Sequence, residues 1–186
     1  MNNWKQYKID NNVKYVSIII YTISNNHILL LLGKESKNGR VNKTDYDLYS
    51  EFWDQLYNEE NIIDCASRIL FEKTMNLIID PFEFEKLINE SKIQFTLNNN
   101  TLIFLFKIDY DQHKLITHYY NKFYSYLLVC SSSNSMEQFS IKTCPVGFFD
   151  KSELVWISPN SIVENYKIYK KKFLYNLMKV ADDLQF

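Results

Sequence analysis

The chain has 186 residues, 46% of them apolar and 16% aromatic, and its 21 basic and 22 acidic residues leave a net charge of −1. That length suits a single domain with a substantial core, and that apolar content excludes a disordered chain. The charge balance excludes a bulk electrostatic drive towards nucleic acid and leaves only local patches to be considered.

Tyr15-Val-Ser-Ile-Ile-Ile-Tyr-Thr-Ile is β-branched and aromatic and reads as a strand, broken by the turn residues Ser24-Asn-Asn-His. His27-Ile-Leu-Leu-Leu-Leu-Gly33 returns as a second strand, apolar enough to be buried on both faces, so the two form a central hairpin. Lys34 to Asp47 is polar and reads as a loop, and Asp47 to Trp53 as a short extended segment. Asn61 to Met75 carries Ile62, Ile63, Ala66, Ile69 and Leu70 near helical spacing, with Asn61 as cap and Asp64 three residues on. Pro81 to Glu90 reads as a short helix. Lys92 to Leu97 and Thr101 to Ile108 read as strands joined by Asn98-Asn-Asn. Between Tyr110 and Ser131 a helix is expected around His118 to Leu128, followed by a polar loop from Ser131 to Ser135. Phe148 to Glu153 leads into a last strand, Leu154-Val-Trp-Ile157. Pro159 opens a final helix running to about Asp183, with Tyr166, Tyr169, Phe173, Leu177 and Val180 on one face. No repeat or linker interrupts the series, so residues 1–186 are expected to form one α/β domain.

Several chemistries find no support in the sequence. Three glycines count against glycine-built phosphate loops, and no Walker-type or Gly-x-Gly-x-x-Gly pattern is present. Cys65, Cys130 and Cys144 are scattered, which points to reduced thiols rather than a disulfide framework or zinc site. His27, His113 and His118 show no ligand-like pairing with them. The polar N-terminus lacks the apolar core of a signal peptide. The longest apolar runs, about 5–6 residues, fall far short of the ~20 a spanning helix needs. An intracellular, cytoplasmic protein with no membrane partner is expected.

The informative segment is the first helix. Glu60 is followed by seven residues and then by Arg68-Ile-Leu-Phe-Glu-Lys-Thr-Met-Asn-Leu-Ile. This resembles the motif of the Nudix hydrolases, in which a Glu precedes Arg-Glu-U-x-Glu-Glu-x-Gly-U by seven residues, U being aliphatic. The variant with its Gly one position later, Arg-Glu-Phe-Phe-Glu-Glu-Thr-Leu-Gly-Val-Ile, is similar to that of Nudix-like proteins of large DNA viruses and protists. Leu30-Leu-Leu-Gly-Lys-Glu35, Leu48-Tyr-Ser-Glu-Phe-Trp-Asp-Gln and Glu153-Leu-Val-Trp-Ile157 resemble other family segments, in order, so the likeness spans most of residues 13–158. It implies an α/β/α sandwich around a mixed sheet.

The resemblance also implies a chemistry, and this sequence departs from it. Family members hold Mg²⁺ or Mn²⁺ with glutamates on one helix face, and the ion offsets charge on a diphosphate. The Glu after the Arg and the later Glu pair correspond here to Ile69, Glu72 and Lys73. One carboxylate of three survives, and one position carries a cation. The paired glycines before the motif are Trp53 and Asp54, and the closing glycine is Asn76, which tolerates a left-handed cap. Glu72 and Glu60 are therefore the remnant catalytic candidates. No metal is expected, Glu72 being the ligand if one binds, and Mg²⁺ or Mn²⁺ is implied only for a hydrolytic protein.

Each candidate has a plainer reading beside it. Glu60, Asp64, Arg68 and Glu72 are four apart and can form a charge ladder centred on Arg68 or a remnant metal site. Lys73 can be a surface lysine or an ammonium that meets a phosphate directly. Trp53, Tyr49, Phe52 and Tyr57 can pack in the core or stack a base. Glu137 and Glu153 are candidates for a late carboxylate. Cys65 reads as a core filler, and Lys167 with Lys170-Lys-Lys172 as a solvated face. The partners implied are a nucleotide or an RNA 5′ end bound without hydrolysis through Lys73, Arg68, Trp53 and Tyr49, or a protein partner or second copy. The alternatives are an active pyrophosphohydrolase acting on a nucleoside diphosphate derivative or RNA cap, and a structural subunit. Location in a host cytoplasm or virion follows if the protein is viral.

Overall fold

A computed structural model describes residues 12–40, 43–109, 113–132 and 144–184. Seven strands form one mixed sheet: β1 (Tyr15–Ser24), β2 (His27–Glu35), β3 (Tyr49–Ser50), β4 (Phe52–Gln55), β5 (Gln94–Asn98), β6 (Thr101–Lys107) and β7 (Lys151–Ile157). The path runs β3-β2-β1-β6-β5, with β4 added to β1 and β7 to β2. β1 and β6 pair in parallel, and the other pairings are antiparallel. The β1–β2 turn takes the form its sequence dictates. Ser24 pairs with His27, and Asn25 and Asn26 both lie in the left-handed region at φ 48° and 62°.

Alternation along the strands sorts the core into two layers. Val16, Ile18 and Ile20 of β1 and Leu102, Phe104 and Phe106 of β6 face one side. There they meet three helices: α1 (Ile62–Thr74), α2 (Pro81–Asn89) and α3 (His113–Ser132). Ile19, Ile103 and Leu105 face the other side, together with Leu30 and Leu32 of β2. That face is covered by α4 (Pro159–Glu164) and α5 (Lys171–Leu184). The arrangement is the α/β/α sandwich, and the central stretches 18–20, 30–32 and 102–106 are continuously apolar because both faces of β1, β2 and β6 are buried there.

The structure modifies several sequence expectations. Lys34 and Glu35 belong to β2, so the polar segment starts later than its composition suggests. α3 extends well beyond His118 to Leu128 in both directions. The final helix is broken. α4 ends at Glu164, a 3-10 turn follows, and α5 begins at Lys171. The break leaves Tyr166 exposed, while Tyr169, Phe173, Leu177 and Val180 remain in the core as the apolar stripe requires. It also lets Tyr169 bridge to Tyr49 and Lys170 donate its backbone N–H to the Tyr49 carbonyl at 3.0 Å. The expected loop after Ser132 lies outside the described residues.

A buried ion cluster pins β2 and β7 together. Lys151 Nζ donates to Glu35 Oε1 at 2.7 Å and to Ser50 Oγ at 2.7 Å, and Lys170 Nζ reaches the same Glu35 oxygen at 3.2 Å. Burial pushes the Lys151 ammonium below its ordinary pKa, while Glu35 is driven below the usual carboxylate range because the charges of Lys151 and Lys170 outweigh its own desolvation. Gly33 makes the room: a Cβ there would stand 2.6 Å from Lys151 Cδ. Removing one member of such a cluster strands a buried charge. Lys151→Met should lower unfolding free energy by about 3 kcal/mol in urea titration. Glu35→Leu combined with it should cost less than the sum of the single changes. A Lys151→Met protein of unchanged stability would contradict this account.

Candidate functional site

The site grows from the N-terminal end of α1. The Asn61 side chain accepts from the N–H groups of Ile63 and Asp64, both at 2.9 Å, and caps the helix. Asp64 completes the cap by accepting from the Asn61 side-chain amide rather than from its backbone. One face of α1 buries Ile62, Ile63, Cys65, Ala66, Ile69 and Leu70, which turns Arg68, Glu72 and Lys73 towards β4 and the approach to β7. The helix closes with Met75 and Asn76 both left-handed, at φ 54° and 55°.

Arg68 is the first hub. Its Nε donates to Glu60 Oε1 at 2.7 Å and its Nη1 to Asp54 Oδ2 at 3.1 Å, and its guanidinium lies 4.0 Å from the Tyr57 ring centre. Glu60 is held below the usual carboxylate range, the Arg68 and Tyr57 hydrogen bonds outweighing its burial. The ladder is thus centred on Arg68, as expected, with Glu72 a distant member at 3.9 Å. Asp64 is not part of it.

Asp150 is the second hub, and it is almost fully buried. Lys73 Nζ donates to its Oδ2 at 2.9 Å, and Arg40 Nη2 donates to the same oxygen at 2.7 Å. Arg40 Nη2 also reaches Glu72 Oε2 at 2.7 Å and Asp54 Oδ2 at 3.3 Å. Three carboxylates from three chain segments therefore converge on one guanidinium nitrogen. Gly147 borders this meeting point, and a Cβ there would collide with both Glu72 and Arg40. Burial alone would raise the Asp150 carboxyl; the charge of Lys73 and the hydrogen bonds from Arg40 outweigh it and bring it down to about 2.

A cavity of about 190 Å³ opens beside these groups. Its wall carries Arg40, Lys73, Asp54 and Asp150 from the network just described, with Trp53 and Tyr57 as aromatic surfaces. Glu35, Asp45 and Lys170 complete it from the other ion cluster, Lys170 lying 3.3 Å from Asp45. Lys172 sits 4.1 Å and Lys170 5.1 Å from the Trp53 ring centre.

The residues singled out in the sequence are only partly brought together. Trp53 and Lys73 line the cavity, while Arg68, Glu60 and Glu72 stand behind it in the ion network. Tyr49 is elsewhere, its hydroxyl donating to Glu153. Phe52 is fully buried in the core, as its plainer reading had it. Lys73 is not a surface lysine: it is buried and ion-paired. Lys170 and Lys172 do not join a solvated face, because the break before α5 turns them onto Trp53 and the cavity. Glu137 lies outside the described residues. Arg40, Asp150 and Glu35 escaped the sequence reading. Nothing in a polar loop or a lone aspartate before a strand marks them. Among the described residues, no group of three or more His, Cys, Asp or Glu side chains is arranged to hold a metal ion. No helix among them is long and apolar enough to cross a membrane.

No family model matches the chain, and no curated protein matches it in sequence. Solved structures do match in shape. The NUDIX domain of Shewanella oneidensis NrtR, complexed with ADP ribose, aligns over 99% of this chain and 99% of its own, with a TM-score of 0.53 and 12% identity. A C. elegans Ap4A hydrolase aligns over 94% and 99%, with a TM-score of 0.47 and 10% identity. T. brucei MERS1, seen with RNA, aligns over 94% of this chain and 64% of its own, with a TM-score of 0.42 and 14% identity. The first carries the conclusion: this chain has a Nudix fold.

The Asp150 hub has a pH signature. Its folded carboxyl ionises more readily than an unfolded one of pKa near 3.9, so the stabilisation is complete above about pH 5 and drains away as pH falls from about 4 towards 2. The amount is about 2–3 kcal/mol. Urea unfolding across this range should show that loss in the native chain. Asp150→Asn should be weaker at neutral pH by about 3 kcal/mol, because Lys73 loses its partner, and flatter towards acid. Parallel curves for the two proteins would rule out the hub.

Proposed function

We propose that this chain is a non-hydrolytic Nudix-fold module that binds a nucleotide or an RNA 5′ end without a resident metal. The observation that carries the reading is Lys73. It stands where the family pattern has a metal-binding carboxylate, and its ammonium is spent on Asp150 at 2.9 Å. The remaining residues do not fit a hard divalent cation. Glu72 is held by Arg40, Glu60 by Arg68, and Asp54 by both arginines. A cation arriving here would have to displace guanidinium and ammonium groups already in contact with the oxygens it needs. Asp64 and Glu153, the spare carboxylates for an altered metal site, are engaged by Asn61 and Tyr49.

The cavity supports a binding role, since aromatic and charged side chains converge on one concave wall. The ADP ribose bound by the NrtR domain makes a nucleoside diphosphate joined to a second sugar a suitable first ligand to test.

The test uses one preparation of the full chain. With Mg²⁺ or Mn²⁺ present, no turnover of ADP-ribose, dinucleoside polyphosphates or capped RNA is expected. In EDTA, the same ligands at about 100 times their Kd should raise Tm by roughly 5–10 °C. Trp53→Ala should reduce that shift. Metal-dependent turnover abolished by Glu72→Gln would overturn the proposal and establish the enzyme instead.

A further inference from the structure

We infer that the cavity receives the uncharged nucleoside base of the ligand, and that the phosphates stay outside it. This rests on the nucleotide-binding reading above and specifies which part of the ligand the cavity recognises. The fold's ordinary use of this region is to offset phosphate charge, and the lining residues are unsuited to that. Four carboxylates and three cations line the wall, and Lys151 and Arg68 stand directly behind Glu35 and Asp54, so every charge is already paired and none is spare for an anion.

None of the three cations is idle. Arg40 and Lys73 are bound to Asp150 at 2.7 and 2.9 Å, and Lys170 to Glu35 and Asp45 at 3.2 and 3.3 Å. A phosphate entering here would have to break these pairs to gain a counter-ion. A neutral base needs no counter-ion and leaves the pairs intact. Carboxylates accept hydrogen bonds, and each has about four lone-pair sites, so pairing with a cation does not exhaust them. Asp45 keeps 34% of its side chain exposed and Asp54 keeps 19%. Asp45, the more exposed of the two, accepts from the ring N–H or amino group of the base. Trp53 and Tyr57 add aromatic surface to the wall, each ring also carrying a cation, Lys172 on Trp53 at 4.1 Å and Arg68 on Tyr57 at 4.0 Å. Size agrees: about 190 Å³ falls below the ~300–1,000 Å³ of pockets that enclose whole drug-sized ligands. The space suits a base and not a complete dinucleotide.

The test is calorimetry on the full chain in EDTA with guanosine, adenosine, their 5′-diphosphates and inorganic diphosphate. At least one nucleoside should bind within about threefold of its diphosphate, and inorganic diphosphate should give no heat. Asp45→Asn, in a surface turn, sets the sign. It should weaken nucleoside binding about tenfold through loss of a charged acceptor. A phosphate-binding cavity would instead gain affinity when that negative charge is removed. Tighter binding of diphosphates to Asp45→Asn, or diphosphates binding where nucleosides do not, would overturn this inference and leave the nucleotide-binding function standing. Failure of nucleosides and nucleotides alike would overturn both.

Discussion

The ammonium of Lys73, held 2.9 Å from the buried carboxylate of Asp150, is the contact on which the rest of the site depends. Neither charge could stay in that position alone, because a buried ion without a counter-ion is strongly destabilising. Together they fasten α1 to the residue that precedes β7. Arg40 then closes over the pair and draws in Glu72 and Asp54, so a loop, a helix and a strand are joined through one guanidinium. Gly147 leaves the space this closure needs.

A second cluster repeats the solution a short distance away. Glu35 gathers Lys151, Lys170 and Ser50 around one oxygen, and Lys170 arrives there because the chain breaks between α4 and α5. The cavity lies between the clusters and takes wall residues from both. Its electrostatic character follows from this position. Charges are abundant but mutually satisfied, so the surface offers hydrogen bonds and aromatic faces more readily than net attraction for anions. Guanidinium and ammonium groups stand among the carboxylates beside α1 and hold them.

Much of the architecture was legible in the sequence because period and turn chemistry are local. The β1–β2 hairpin is fixed by apolar runs around Asn25 and Asn26, and α1 by the spacing of Ile62, Ile63, Ala66, Ile69 and Leu70 under an Asn61 cap. The Glu60–Arg68 pair could be read from its spacing, since both residues belong to one local segment. The break before α5 could not, because the apolar stripe from Tyr169 to Val180 is compatible with a continuous helix. It is the pairing of Tyr169 with Tyr49, distant in sequence, that holds the broken form. The partners of Lys73 were hidden for the same reason. Arg40 and Asp150 lie 33 residues before and 77 residues after it, and no short-range pattern relates them. Lys73 itself was the signal, a cation directly after Glu72 where the resembled motif has a second glutamate.

The central claim is that the protein's own cations hold the carboxylates around α1, leaving none to bind a divalent metal ion. Electron paramagnetic resonance of Mn²⁺ added to the purified chain tests it most directly. The account predicts that the six-line spectrum of free Mn²⁺ keeps its full intensity at stoichiometric protein. Loss of that signal through tight one-to-one binding, reversed by Glu72→Gln, would contradict it.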